Sequence, residues 1–217
     1  MWSLYRRYYA STSRKLFERD FAQKDSLLVL RDADDCIRGF STIAVGLTQF
    51  DGCGVRYVFS GDTIIEPAYW GTQALAFSWL RHAGEIKRMQ PEVPLFWFLI
   101  VKGHRTFRYL PAFAREFFPH WKRHTPVHLA ALMNKLAHER FGAAFDAASG
   151  VVRYQESQGH LAGDIAEASE REAGRDDVSF FFRRNSGYRN GDELVCLCEL
   201  SAENLRPLAR RLFENTH

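Results

Sequence analysis

The stretch Asp62 to Leu75, DTIIEPAYWGTQAL, has the residue types and spacing best suited to holding a charged ligand. A short apolar run, Thr63 to Ile65, is stopped by Glu66 and Pro67, and Gly71 opens a segment with apolar residues at helical spacing. A strand running through a turn into a helix is the expectation. The first turn of a helix has amides without internal partners and carries the positive end of the dipole, so a phosphate can rest there without a dedicated cation.

Other constellations lead less far. His120, His124 and His128 recur at intervals of four, but Pro126 interrupts any helix that would align them, and no carboxylate or cysteine completes a ligand set. No metal is expected. Cys196 and Cys198 alternate on one face of a strand and suit small core residues. Phe180, Phe181 and Phe182 followed by Arg183 and Arg184 would serve both faces of a sheet strand, and no recognised nucleic-acid motif accompanies them. The sequence has no GxSxG, GxxxxGK[ST], HExxH or glycine-rich dinucleotide fingerprint, which sets aside hydrolase, nucleotidase and Rossmann readings.

The 217 residues, 46% hydrophobic and 14% aromatic, can bury one substantial core, and a single domain over 1–217 is expected. No apolar run spans a membrane, the amino-terminal residues are not a signal peptide, and four sparse cysteines point to a reduced, cytoplasmic setting. A net charge of +3 does not argue for nucleic acid. Its distribution is uneven: Lys102, Arg105, Arg108, Arg115, Lys122 and Arg123 face the single acid Glu116 between Lys102 and His124, and that segment should attract anions. Gly163 to Asp177 is acidic and suits a solvated helix face.

The positioning elements follow from periodicity. The first twenty residues fit one amphipathic helix, Ser26 to Arg31 and Ile37 to Val45 a strand pair around the DADD turn, and Arg56 to Ile65 a third strand, bulged at Gly61. Gly71 to Arg88 reads as a helix, and Leu95 to Val101, apolar on both alternations, as the central strand. Helices are predicted at Val127 to Phe145 and His160 to Gly174, a strand hairpin from Val178 to Arg183 and Glu193 to Leu200, and a final helix begun at Ser201.

This order resembles the GNAT fold of acyl-CoA-dependent N-acyltransferases, an α+β architecture with a mixed central sheet flanked by helices. Ile65-Glu66-Pro67-Ala68-Tyr69-Trp70-Gly71 looks like the family's pattern at the exit of its fourth strand, with Trp70 where an arginine is usual and Gln73 where a second glycine or alanine is usual. The resemblance implies an acyl group moved from acyl-CoA as co-substrate, or from the phosphopantetheine of an acyl carrier protein, to a small-molecule amine acceptor. It implies that amides of Gly71, Thr72, Gln73 and Ala74, beside Trp70, receive the pyrophosphate, and that a backbone N–H around Ile64, Ile65 and Glu66 holds the thioester carbonyl. Glu66 is then the expected base or water-relay partner, with Asp62 second. Tyr109 is the expected acid for the leaving thiolate, and His104 an alternative base because its ordinary pKa lies near neutrality. The basic segment could steer a carrier protein's acidic surface. The rival expectation is a silent module of the same fold that binds an acyl ligand or a partner protein.

Overall fold

The computed structural model describes residues 1–215. Helix α1 (Trp2–Tyr8) leads into a two-residue strand β1 (Tyr9–Ala10), and α2 (Arg14–Phe21) starts anew behind it. The single amino-terminal helix expected from periodicity is therefore two. Ser11 takes a positive φ of 52°, and the Ser13 side chain caps α2 by accepting the Leu16 N–H. Two closely spaced serines break the stripe that periodicity alone had joined.

Strands β2 (Ser26–Arg31), β3 (Ile37–Phe50) and β4 (Cys53–Ile65) form the expected antiparallel meander, β2 at its predicted bounds and β3 and β4 longer than predicted. Asp51 and Gly52 turn the β3–β4 hairpin with φ of 49° and 77°, the left-handed pair that a tight two-residue turn requires. The register passes from Ile43↔Ser60 to Ser41↔Thr63, so β4 holds an extra residue around Gly61 and Asp62, as the glycine predicted.

After β4 the chain makes a 3-10 turn, Pro67–Tyr69, and only then α3 (Ala74–Met89), three residues later than predicted. Strand β5 (Leu95–Val101) matches its predicted bounds and lies between a parallel neighbour, β4, and an antiparallel one formed by Glu193–Glu199. Two short helices follow, α4 (His104–Phe107) and α5 (Tyr109–Phe113), with Pro111 in the first turn of α5, where its missing N–H costs nothing.

Helix α6 (Val127–Phe141) ends where Gly142 takes φ 54°, short of the predicted Phe145. The short strands β6 (Phe145–Asp146), β7 (Val151–Val152) and β8 (His160–Leu161) come next, β8 pairing with β1. The predicted acidic helix is two single turns, α7 (Gly163–Ala166) and α8 (Glu170–Ala173), the latter closed by a Ser169–Glu172 capping box.

The strand predicted at Val178 to Arg183 is instead helix α9 (Asp176–Arg184). Asp176 and Asp177 meet its amino-terminal dipole and Arg183 and Arg184 its carboxyl end, while Val178 and Phe181 share the buried face. Its three phenylalanines serve one helix, not two sheet faces, and no hairpin forms with β9 (Glu193–Glu199). Helix α10 (Pro207–Glu214) begins at Pro207, not Ser201.

The main sheet has seven strands in the order β2-β3-β4-β5-β9-β7-β6. One face carries α3 and α10, with Trp79 and Leu80 packed over Val58, Trp97 and Leu99. The other face carries α6, with Leu132 and Leu136 over Phe59, Phe98 and Leu197. Cys196 and Cys198 are buried and unoxidised, as expected of core residues. Among the described residues no helix is long and apolar enough to cross a membrane, and no group of His, Cys, Asp or Glu could hold a metal ion.

Candidate active site

Parallel pairing between β4 and β5 runs from Arg56↔Leu95 to Ser60↔Leu99 and stops there, although β4 continues to Ile65 and β5 to Val101. The bulge at Gly61 turns β4 aside at that point. The two central strands thus part into a wedge. The Glu66 N–H donates to the Arg38 carbonyl at 2.8 Å, and directions alternate along an antiparallel strand, so the Ile65 N–H and carbonyl face away from β3 into the wedge. The Ile65 carbonyl accepts the Trp70 Nε1–H at 2.8 Å, as that direction demands. Of the amides expected to hold a carbonyl oxygen, Ile65 is the one left facing the opening.

The wedge leads into a cleft of about 780 Å³ walled by α1, α2, the ends of β4 and β5 and the end of α6. Asp62 lines it. Burial pushes this carboxyl up to about 6, against the pull of Lys102. Lys102 Nζ lies 2.8 Å from Glu193 Oε1 and 5.4 Å from the centre of the Tyr9 ring. Although burial opposes the ammonium charge, Glu193 and Asp62 raise its pKa. Burial likewise raises the Tyr5 and Tyr9 hydroxyls, with Asp62 adding to the effect. Lys102 stood in the basic segment, but its pairing with Glu193 in the cleft escaped the sequence reading. The one trace was Glu193 itself, an acid opening the otherwise apolar run LVCLC.

The expected base is differently employed. Glu66 is buried and its two oxygens meet Arg7 of α1 and Arg38 of β3, the latter at 3.0 Å. It fastens α1 to the sheet, with each oxygen engaged by one guanidinium. His104 is fully buried, its ring 5.4 Å from Phe182, and burial lowers its pKa. It does not line the cleft. Tyr109 opens α5 and lines a small apolar recess of about 30 Å³ with Ser60, Gly61, Thr63 and Ile100, which places it at the wedge on the α3 side. Burial raises its hydroxyl above the ordinary value.

The turn expected to cradle phosphate is partly spent. The Thr72 N–H bonds the Tyr69 carbonyl at 3.0 Å, and the Ala74 N–H reaches Thr72 Oγ1 at 3.3 Å. Gly71, Gln73, Leu75 and Ala76 keep amides without a partner among the described residues, so the free donors shift to the true first turn of α3. A side chain built at Gly71 would meet nothing within 4 Å, so packing does not explain the glycine and the turn is open to approach. Trp70 has its indole N–H committed to Ile65, with Arg105 4.4 Å over its ring.

No protein-family model and no curated protein match the chain. Two solved structures are similar to it. One is the GNAT family N-acetyltransferase YhbS of Escherichia coli in complex with CoA, 18% identical over 51% of this chain and 59% of that one, with a TM-score of 0.37. The other is the KacTA–DNA complex, 16% identical over 48% of this chain and 74% of that one, with a TM-score of 0.34. The chain thus spans 59% of the length of the first. Its own strand order, with the parallel β4–β5 pair parted at Ser60, carries the assignment. The fold is GNAT-like. Within a GNAT-like sheet the wedge has two sides, α3 and its free amides on one, and the cleft with Asp62 on the other.

Proposed function

We propose that the protein transfers an acyl group from a pantetheine thioester to an amine, at the wedge between β4 and β5. The observation that carries this reading is the end of strand pairing at Ser60↔Leu99, which leaves the Ile65 amide facing an opening that adjoins both a donor-side turn and a polar cleft. In this proposal the Ile65 N–H holds the carbonyl oxygen. Asp62, with its carboxyl near 6, takes the proton of the attacking amine as the carbon–nitrogen bond forms. Tyr109, kept protonated by burial, returns a proton to the thiolate as the carbon–sulfur bond breaks. Glu66 and His104 have structural parts.

Free acyl-CoA is the proposed donor. The residues that would take its pyrophosphate are Gly71, Gln73, Leu75 and Ala76 through their amides, and CoA would supply the activated thioester. A carrier protein is less favoured, because Arg105 and Arg108 bond Glu172 and Lys122 and Arg123 each have an acid within 4 Å. The test is thiol release from acetyl-CoA and longer acyl-CoAs with a panel of amines. Amine-dependent release that Asp62→Asn depresses supports the proposal. A thermal shift with acyl-CoA but no turnover would point to a silent binding module.

A further inference from the structure

Arg140, in the last turn of α6, turns its guanidinium into the cleft with Cζ 3.7 Å from the centre of the Phe59 ring. Among the described residues it has no hydrogen-bond or ion-pair partner. The carboxylate next to it, Glu139, is taken by Lys135 and Thr48. Asp20, on the α2 wall of the same cleft, gives both oxygens to Lys24 at 2.7 Å. Burial lowers the Arg140 pKa without approaching neutrality, since a guanidinium does not deprotonate in proteins. Arg140 is half-buried and feels the charge of Asp20 only at a distance, so a guanidinium with no direct ion-pair partner is left to meet an anionic ligand in the cleft.

We infer that Arg140 receives a carboxylate of the acceptor, which makes the substrate class a small amino carboxylate. This rests on the acyl-transfer reading of the same cleft. The guanidinium fork donates two parallel N–H bonds to the two oxygens of one carboxylate. The donor's phosphates are excluded by placement, because the free amides belong to α3 on one sheet face and Arg140 to α6 on the other. Phe59, under the guanidinium, and Asp62, the proposed base, lie three residues apart on β4, with Asp62 in the bulge, and both line the cleft. One small molecule can therefore present its amine to Asp62 and its carboxylate to Arg140. Tyr5, Tyr8 and Tyr154 would flank the carbon chain between them.

The test pairs α- and ω-amino acids with their own carboxamides, which keep the amine and lose the negative charge. Wild type, Arg140→Gln and Arg140→Lys are compared in two arms, thermal stabilisation without donor and thiol release with acetyl-CoA. The inference expects the acids to be preferred over the amides by about tenfold or more in kcat/KM, the preference to vanish in Arg140→Gln, and Arg140→Lys to keep part of it. The loss in Arg140→Gln should be about tenfold or more smaller with the amides than with the acids. Acids and amides used alike, or a preference that survives Arg140→Gln, would overturn it. Stabilisation by acids that depends on Arg140, without thiol release from any acyl-CoA, would uphold the carboxylate site and sink the acyl-transfer reading.

Discussion

Arg105 places its guanidinium carbon 4.4 Å from the centre of the Trp70 indole. Trp70 follows the end of β4 and Arg105 the end of β5, so this one contact ties the two parted strands across the open end of the wedge. Arg105 is itself held by the Ile165 carbonyl at 2.6 Å and by Glu172 at 3.3 Å. The latch covers the Ile65 carbonyl, to which Trp70 donates its indole N–H.

In the proposed reaction a donor entering the wedge beside Ile65 is expected to displace Trp70 from this latch. Trp70→Ala removes a cation–π contact and a hydrogen bond from the unliganded state, together worth about 1–2 kcal/mol, so acyl-CoA should bind roughly tenfold tighter. Isothermal titration measures this directly. Weaker binding would mean that the indole is part of the donor surface.

In the proposed reaction Asp62 sets the pH dependence. As a base it works ionised, so the rate should fall as pH drops through about 6, the value set by burial. Asp62→Asn should lower kcat by about a hundredfold or more and flatten that limb. Stability should move the other way. The folded carboxyl holds its proton better than the unfolded one, so native stability declines as pH rises from about 4 to 6, and Asp62→Asn should stabilise the protein at pH 7 by on the order of 2 kcal/mol. Urea titrations at pH 5 and pH 7 separate the two effects.

Glu66→Gln tests the bracket. Arg7 and Arg38 lose their shared partner, and α1 loosens from β3 at a cost of about 1–3 kcal/mol. The maximal rate should stay within a few-fold of wild type. A loss of a hundredfold with unchanged stability would restore Glu66 as the base.

Gly84 marks the tightest contact between α3 and α10. A Cβ built there lies 1.9 Å from the Phe213 carbonyl oxygen, which belongs to backbone and cannot swing aside. Gly84→Ala should cost about 3 kcal/mol and lower Tm by roughly 6–12 °C in a chain of this size. Calorimetry showing no change would mean that α10 shifts freely.

The five longer strands of the sheet were legible from their periodicity, whereas β6 and β7, two residues each, left no pattern to read. Leu95 to Val101 is apolar on both alternations only because β4 and β9 enclose it and both faces are covered. Gly61 marked the bulge that parts the strands. Helix α9 was misread because three consecutive phenylalanines fit either period, and the paired acids and arginines at its ends outweighed β propensity. The site was legible along β4 and less so elsewhere. Glu66 sits where a base would be expected, but its partners Arg7 and Arg38 lie 59 and 28 residues away, beyond what local pattern reveals. Arg140 carried no local signal, and Lys102 stood only as one of a basic run, until the fold enclosed both in the cleft.

The most direct measurement is a crystal structure with a ketone analogue of acetyl-CoA, in which a methylene group stands in for the thioester sulfur. The ketone oxygen should lie about 3 Å from the Ile65 nitrogen. The pantetheine arm should thread between β4 and β5, with Trp70 displaced and the pyrophosphate against the amides that open α3. An analogue bound outside the wedge, or strands β4 and β5 joined beyond Ser60 and Leu99 with the ligand excluded, would contradict the account.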